Sequence, residues 1–223
     1  MLRQAPGNAG VQRAVDRRTD LRYVGPINGC YTFSERREIT NGDVEVFACR
    51  TQSISSTAVA VTAPVAAKLG EWVTARFDGI GIVRGTVERL TSEGFVFSIV
   101  ASDQHRAKLA AKIDWLKKKS VRKQSDQRDF RRFQPRDPRS ILGLADGRVT
   151  KCFVIDLSRS GAAVSCQHVP GIGEQLVLGT LKCHVVRRLD VGFAVQFEAS
   201  QDAEGLEQLV SGFELSEPRA PGL

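Results

Sequence analysis

The sequence predicts a mainly β protein, two tandem small antiparallel β-barrels each followed by a C-terminal helix. Three observations lead there. The chain repeats itself, each copy alternates apolar and polar residues in short runs, and each copy closes on a helical pattern. The 223 residues are enough for two domains of about 100 residues, a common domain size.

The repeat carries the most weight. "GIVRGTVERLTSEGFVFSIVAS" (81–102) lies over "GTLKCHVVRRLDVGFAVQFEAS" (179–200), sharing a Val-x-Arg-Leu step, a Gly-Phe and a closing Ala-Ser. Upstream, "LGEWV" (69–73) lies over "IGEQL" (172–176), and "TQSISSTAVAV" (51–61) over "VIDLSRSGAAV" (154–164). Within each copy the runs are strand-like. "TKCFVIDL" is β-branched and apolar, and "GFAVQFEA" alternates with period two. "DGIG", "SEG", "LADG" and "VPGIG" punctuate them as turns. The helices follow. "SDQHRAKLAAKIDWLKKK" opens on Ser102 or Asp103 as an N-cap and sets Leu109, Ile113 and Leu116 on one face, and "SQDAEGLEQLVSGF" is a shorter equivalent. The expected organisation is a first barrel with its helix over 1–116 and a basic linker over 117–139. A second barrel with a short helix follows over 140–215, then a disordered tail over 216–223.

Composition narrows the function classes. The hydrophobic fraction of 42% builds a core, and no window nears the roughly 18 consecutive apolar residues of a membrane helix. The N-terminal stretch lacks the apolar core of a secretory signal, so a cytoplasmic protein without membrane insertion is expected. The five cysteines form no C-x-x-C pair, which argues against a disulfide framework and a zinc site. The three histidines are scattered. No metal site is expected, and no enzyme: there is no Ser-His-Asp logic, no paired carboxylates and no phosphate-binding glycine loop.

The net charge is +7, and the ten basic and three acidic residues between 117 and 139 account for all of it. Such a run favours an anionic partner. Within it, "QRDFRRF" places Arg128 and Arg132 four residues apart, and about two dozen residues later comes "DLSRSG" with Asp156, Ser158 and Gly161. Arginine forks match phosphate oxygens two at a time and can also bond or stack on guanine. A carboxylate accepts, and the Watson–Crick edge of guanine donates, so Asp156 has the polarity to read it. Ser158 adds a hydroxyl. Gly161 allows a positive φ or a close approach by a ligand. Taken alone, "DLSRSG" is a β-turn.

R-x-x-x-R followed by D-x-S-x-x-G, in a strand-rich module, resembles the PilZ domain family. The resemblance covers the chain from about 127 to 215. It implies a small β-barrel that binds the bacterial second messenger cyclic di-GMP. Arg128 and Arg132 would wrap the ligand, and Asp156, Ser158 and Gly161 would receive a guanine. Gln127, Arg131 and Arg159 are additional candidates. No cofactor is implied beyond this ligand.

The first copy departs from the pattern. "SISSTA" puts Ser53, Ser55 and Ala58 where Asp156, Ser158 and Gly161 stand. It reads as a degenerate module, with Arg18 and Arg22 as a lesser candidate for a second site. The leading expectation is a non-enzymatic cyclic di-GMP receptor. Ligand binding would order the linker, change interdomain geometry and engage a protein effector. The resemblance points to motility, exopolysaccharide or biofilm control, and a homodimer is an option. The alternative is a nucleic-acid-binding or scaffolding barrel that binds no cyclic di-GMP. Nucleic acid is disfavoured because the sequence offers no array of aromatics for base stacking.

Overall fold

The structure, a computed structural model, describes residues 21–34, 45–122 and 132–210. In the first half, β1 (Tyr23–Val24), β2 (Asn28–Phe33), β3 (Phe47–Ile54), β4 (Ala58–Thr62), β5 (Trp72–Phe77), β6 (Gly81–Leu90) and β7 (Gly94–Ile99) precede helix α1 (Asp103–Arg122). In the second, β8 (Arg139–Gly143), β9 (Val149–Ser158), β10 (Gly161–Ser165), β11 (Gln175–Leu178), β12 (Leu181–Leu189) and β13 (Gly192–Phe197) precede helix α2 (Leu206–Val210).

Both halves close into six-stranded antiparallel barrels. In the first, the ring runs β2-β3-β4-β7-β6-β5 and back to β2, with β1 added outside β3. In the second it runs β8-β9-β10-β13-β12-β11 and back to β8. The connectivity is the same, strand for strand. Closure leaves no long free edge, and alternating side chains fill each interior. Tyr31, Phe33, Phe77, Phe95 and Phe97 fill the first barrel, and Leu142, Leu157, Leu178 and Phe193 the second.

The repeat extends to irregularities. Gln52 bulges out of the β3–β4 pairing and Ile155 out of the β9–β10 pairing. A second register shift falls between Val87 and Arg89 in one barrel and between Val185 and Arg187 in the other. The "GE" turns match as well. Gly70 and Gly173 take φ of 81° and 85°, the left-handed region that glycine enters without penalty. The Glu71 carboxylate then accepts from Lys68 N at 2.9 Å, and the Glu174 carboxylate from Gly171 N at 2.8 Å.

Ser102 caps α1, accepting from His105 N at its hydroxyl and from Arg106 N at its carbonyl. Leu109 and Ile113 enter the first core, with Leu116, Leu21 and Tyr23 against it. The helix does not stop at 116, where the first unit was expected to end, but continues to Arg122. Lysine is a good helix former, and Lys118 pairs with Asp114 one turn back at 2.6 Å. The tail over 216–223 lies outside the described residues.

No helix among the described residues is long and apolar enough to cross a membrane. Also among these residues, no cluster of three or more His, Cys, Asp or Glu could hold a metal ion. All five cysteines are free thiols. Burial pushes Cys166 up to about 11 and Cys183 up to about 12, so these thiols stay protonated and unreactive near neutral pH.

Candidate functional site

The bulge at Ile155 decides which way the β9 side chains point. Beyond it, Leu157 turns into the core with no exposure, while Asp156 and Ser158 turn outward. Asp156 stands opposite Ala163 on β10, Ala163 opposite Ala194 on β13, and Ala194 opposite Arg187 on β12. This row runs carboxylate, methyl, methyl, guanidinium. At the usual interstrand spacing, the two alanines separate the charged ends by about 14 Å. Neither alanine belongs to the core cluster, yet both are buried, at 3% and 5% exposure, so only small side chains stand between the two charged ends.

Arg132 reaches Asp156 from the segment before β8. Phe133 forms a β-bridge with Leu157, its N–H donating at 2.8 Å and its carbonyl accepting at 2.7 Å. Its ring packs on the second core. The backbone just after Arg132 is therefore fastened one residue beyond Asp156. Arg132 Nη1 then lies 3.4 and 3.5 Å from the two Asp156 oxygens. The Arg132 side chain is 54% exposed and that of Asp156 28%. Close charge-assisted bonds run at about 2.7–2.9 Å, so this pair is loose. Exposed pairs of this kind contribute roughly 0–1 kcal/mol to stability, little enough for a competing ligand to open.

Ser158 and Gly161 end the hairpin between β9 and β10. The Ser158 hydroxyl donates to the Gly161 carbonyl at 3.1 Å. Gly161 needs a different account from the one its sequence setting suggests. It is buried and is not among the glycines with positive φ. A Cβ there would run into the carbonyl oxygen of Val195 on β13. The close approach this glycine permits is by its own barrel. Arg159 is engaged elsewhere, donating to the Gln201 carbonyl at 3.1 Å and pairing with Asp202 at 3.3 Å. Gln127, Arg128 and Arg131 lie outside the described residues.

The first barrel holds the same positions differently. Tyr23 pairs with Ile54 as Phe133 does with Leu157, so Arg22 sits in the register of Arg132 and is exposed. Arg18 lies outside the described residues. Ser53 replaces the carboxylate, and its row reads Ser53, Ala60, Val96, Arg89. Ser55 is 1% exposed and Ser56 7%. The Ser55 hydroxyl is spent on the turn, accepting from Thr57 N and Ala58 N. The turn serine that is partly exposed in the second barrel, Ser158, is matched by a buried one, Ser55, in the first.

Sequence reasoning missed two residues. Phe133 is one, signalled only by an aromatic directly after the second arginine. Arg50 is the other. It lies on β3 within a run of buried residues, at 7% exposure, and touches the segment that carries Arg132.

Residues 126–214 match the model of the PilZ domain. No curated protein matches the chain. Among solved structures, the chain is similar to the Borreliella burgdorferi PlzA protein in complex with c-di-GMP. The identity is 10% and the TM-score 0.26, over 82% of this chain and 85% of that one. It is similar to the Bacillus subtilis inhibitor of motility at 13% identity and TM-score 0.26, over 84% and 93%. It is similar to Escherichia coli YcgR in complex with c-di-GMP at 13% identity and TM-score 0.22, over 82% and 80%.

Proposed function

We propose, from the premise that residues 126–214 of this chain are a PilZ domain, that the protein is a non-enzymatic receptor for cyclic di-GMP. The ligand site is Arg128, Arg132, Asp156, Ser158 and Gly161. The observation that carries this reading is Arg132 fastened beside Asp156 by the Phe133–Leu157 bridge. That arrangement joins an anion-binding fork to a carboxylate that accepts from guanine.

In this mechanism the loose Arg132–Asp156 pair opens as the ligand arrives. Asp156 accepts from N1–H and the N2 amine of one guanine. Arg132 moves to a phosphate or to guanine N7 and O6, where its planar fork can make two bonds. Arg128 closes from the same segment. Gly161 acts indirectly, by letting β10 lie close enough to β13 to hold the Ser158 turn. The first barrel takes no nucleotide, since its turn is buried and its carboxylate is missing. The signal leaves as a change in interdomain geometry read by a protein effector. Control of motility, exopolysaccharide or biofilm in the cytoplasm is the matching process.

Titration calorimetry with cyclic di-GMP on the full chain tests the reading. Saturable binding by the parent is expected. Arg128→Ala should weaken it by about tenfold or more, the size of a lost charge-assisted contact. An Arg128→Ala protein that binds as tightly as the parent contradicts the site assignment.

A further inference from the structure

The barrel that lacks the nucleotide motif touches the arginine-bearing segment of the one that has it. We propose that Arg50 of the first barrel is a positioning residue for the second barrel's ligand site, acting through Arg132. The proposal rests on the cyclic di-GMP reading for its binding readout, but has a second readout that needs no ligand.

The contact begins with a buried charge. Arg50 Nη1 donates to the Pro135 carbonyl at 2.7 Å, and Nε to Asn28 Oδ1 at 3.2 Å. Its guanidinium carbon stands 5.8 Å from the centre of the Phe153 ring on β9. Burial lowers its pKa, and the carboxylates of Asp137 and Glu207 oppose that shift. Apart from Asn28, all these partners belong to the second half of the chain. A buried guanidinium costs several kcal/mol of desolvation before its partners offset it. Here the offset is incomplete, since Nη2 is buried without a partner among the described residues. The second barrel has Phe153 at the matching register. An apolar residue therefore satisfies the barrel at this place, and the charge in β3 serves the contact across the junction.

The gripped segment transmits that contact. "RFQPRDPR" (132–139) carries two prolines, which fix their own φ and bias the residues before them towards extended backbone. Pro135 and Pro138 are buried. The segment is fastened at Phe133 by its bridge to Leu157, at Pro135 by Arg50, and at Pro138, whose carbonyl accepts from Val154 N at 2.6 Å. A stiff strap held at three points fixes the backbone from which the Arg132 side chain reaches, while the exposed side chain itself stays free to change partner. Two further contacts join the barrels away from Arg132. Ala48 N donates to Ser165 Oγ at 3.0 Å, and Arg139 pairs with Glu93 at 3.0 Å. They hold the barrels together without Arg50, so the junction and the positioning can be tested separately.

The experiment uses the full chain with Arg50→Met, which keeps apolar bulk and leaves Asp137 its partner Arg139. Cyclic di-GMP binding should weaken about tenfold, as expected for one lost charge-assisted bond. The same substitution in an Arg132→Ala background, measured at low salt so that weak binding stays readable, should cost little further, because residues acting as a unit are not additive. Glu93→Gln should bind like the parent. In the ligand-free chain, amide exchange at Phe133 and Leu157 should speed up in Arg50→Met and not in Glu93→Gln. Parent-like affinity in Arg50→Met overturns the proposal, as does an equal cost with and without Arg132. If the parent itself does not bind cyclic di-GMP, the receptor reading fails. The exchange result then decides the positioning claim, and unchanged exchange overturns it.

Discussion

The hairpin at 55–58 and the hairpin at 158–161 occupy the same corner of two barrels with the same strand order, bulge and register. In the first, the serine hydroxyl is buried, two backbone amides consume it, and Ser53 stands beside it. In the second, the serine is partly exposed, a carboxylate stands beside it, and Arg132 pairs with that carboxylate. The fold is thus indifferent to the carboxylate and keeps the turn without it. What separates the two corners is access and charge. The barrel with serine in place of the carboxylate turns a charged residue, Arg50, towards the strap of its neighbour.

The largest effect that would sharpen this contrast is at the glycine. Gly161→Ala places a methyl group against the Val195 carbonyl, and overpacking of this kind costs typically about 1–3 kcal/mol. Thermal unfolding should show the loss. Ala58→Gly at the matching place should cost less than about 1 kcal/mol, the backbone-entropy penalty of glycine. Equal costs would break the claim that Gly161 is held by its own barrel. Next comes Ser53→Asp, which restores the first barrel's carboxylate. Because Ser55 and Ser56 beside it are buried, the number of cyclic di-GMP molecules bound per chain should stay unchanged. A gain of one would show that charge alone, and not access, separates the two corners.

The smallest effect lies at the junction. Hydrogen bonds from Arg139 hold the Asp137 carboxyl below its ordinary range, against the opposing effect of burial. A depressed carboxylate contributes stability that is present above its unfolded pKa of about 3.9 and is lost as pH falls through the lower folded value. The parent should therefore lose stability below about pH 4 slightly more steeply than Asp137→Asn. Identical acid limbs in the two unfolding curves would remove Asp137 from the junction's electrostatics. Both groups are substantially exposed, which keeps the expected difference small.

Much of this was legible in the sequence, for physical reasons. A barrel strand shows its inward face every second residue, so aligned runs such as 81–102 and 179–200 announce two equal barrels. The two "GE" steps were visible as matching blocks of the repeat, and their glycines stand where the backbone is left-handed. Asp156 and Ser158 were legible as outward polar residues beside a turn. Gly161 was legible as a constraint but not as to its cause, because a strand backbone and a ligand make the same demand on a missing Cβ. The end of α1 was misplaced by its lysines, which suit a helix as well as a linker. The junction was not legible, because tertiary contacts between barrels leave no period. Its one trace is Arg50, a charge inside the buried run "FACRT".

The central claim is that the two corners differ in one function, reception of a guanine by Asp156. Calorimetric titration of the full chain with cyclic di-GMP, parent against Asp156→Ala, tests it most directly. The account predicts saturable binding in the parent and a loss of about tenfold or more in the variant, with thermal unfolding little changed because the loose Arg132 pair adds little stability. Equal affinities in parent and Asp156→Ala, or a parent that binds no cyclic di-GMP, would contradict it.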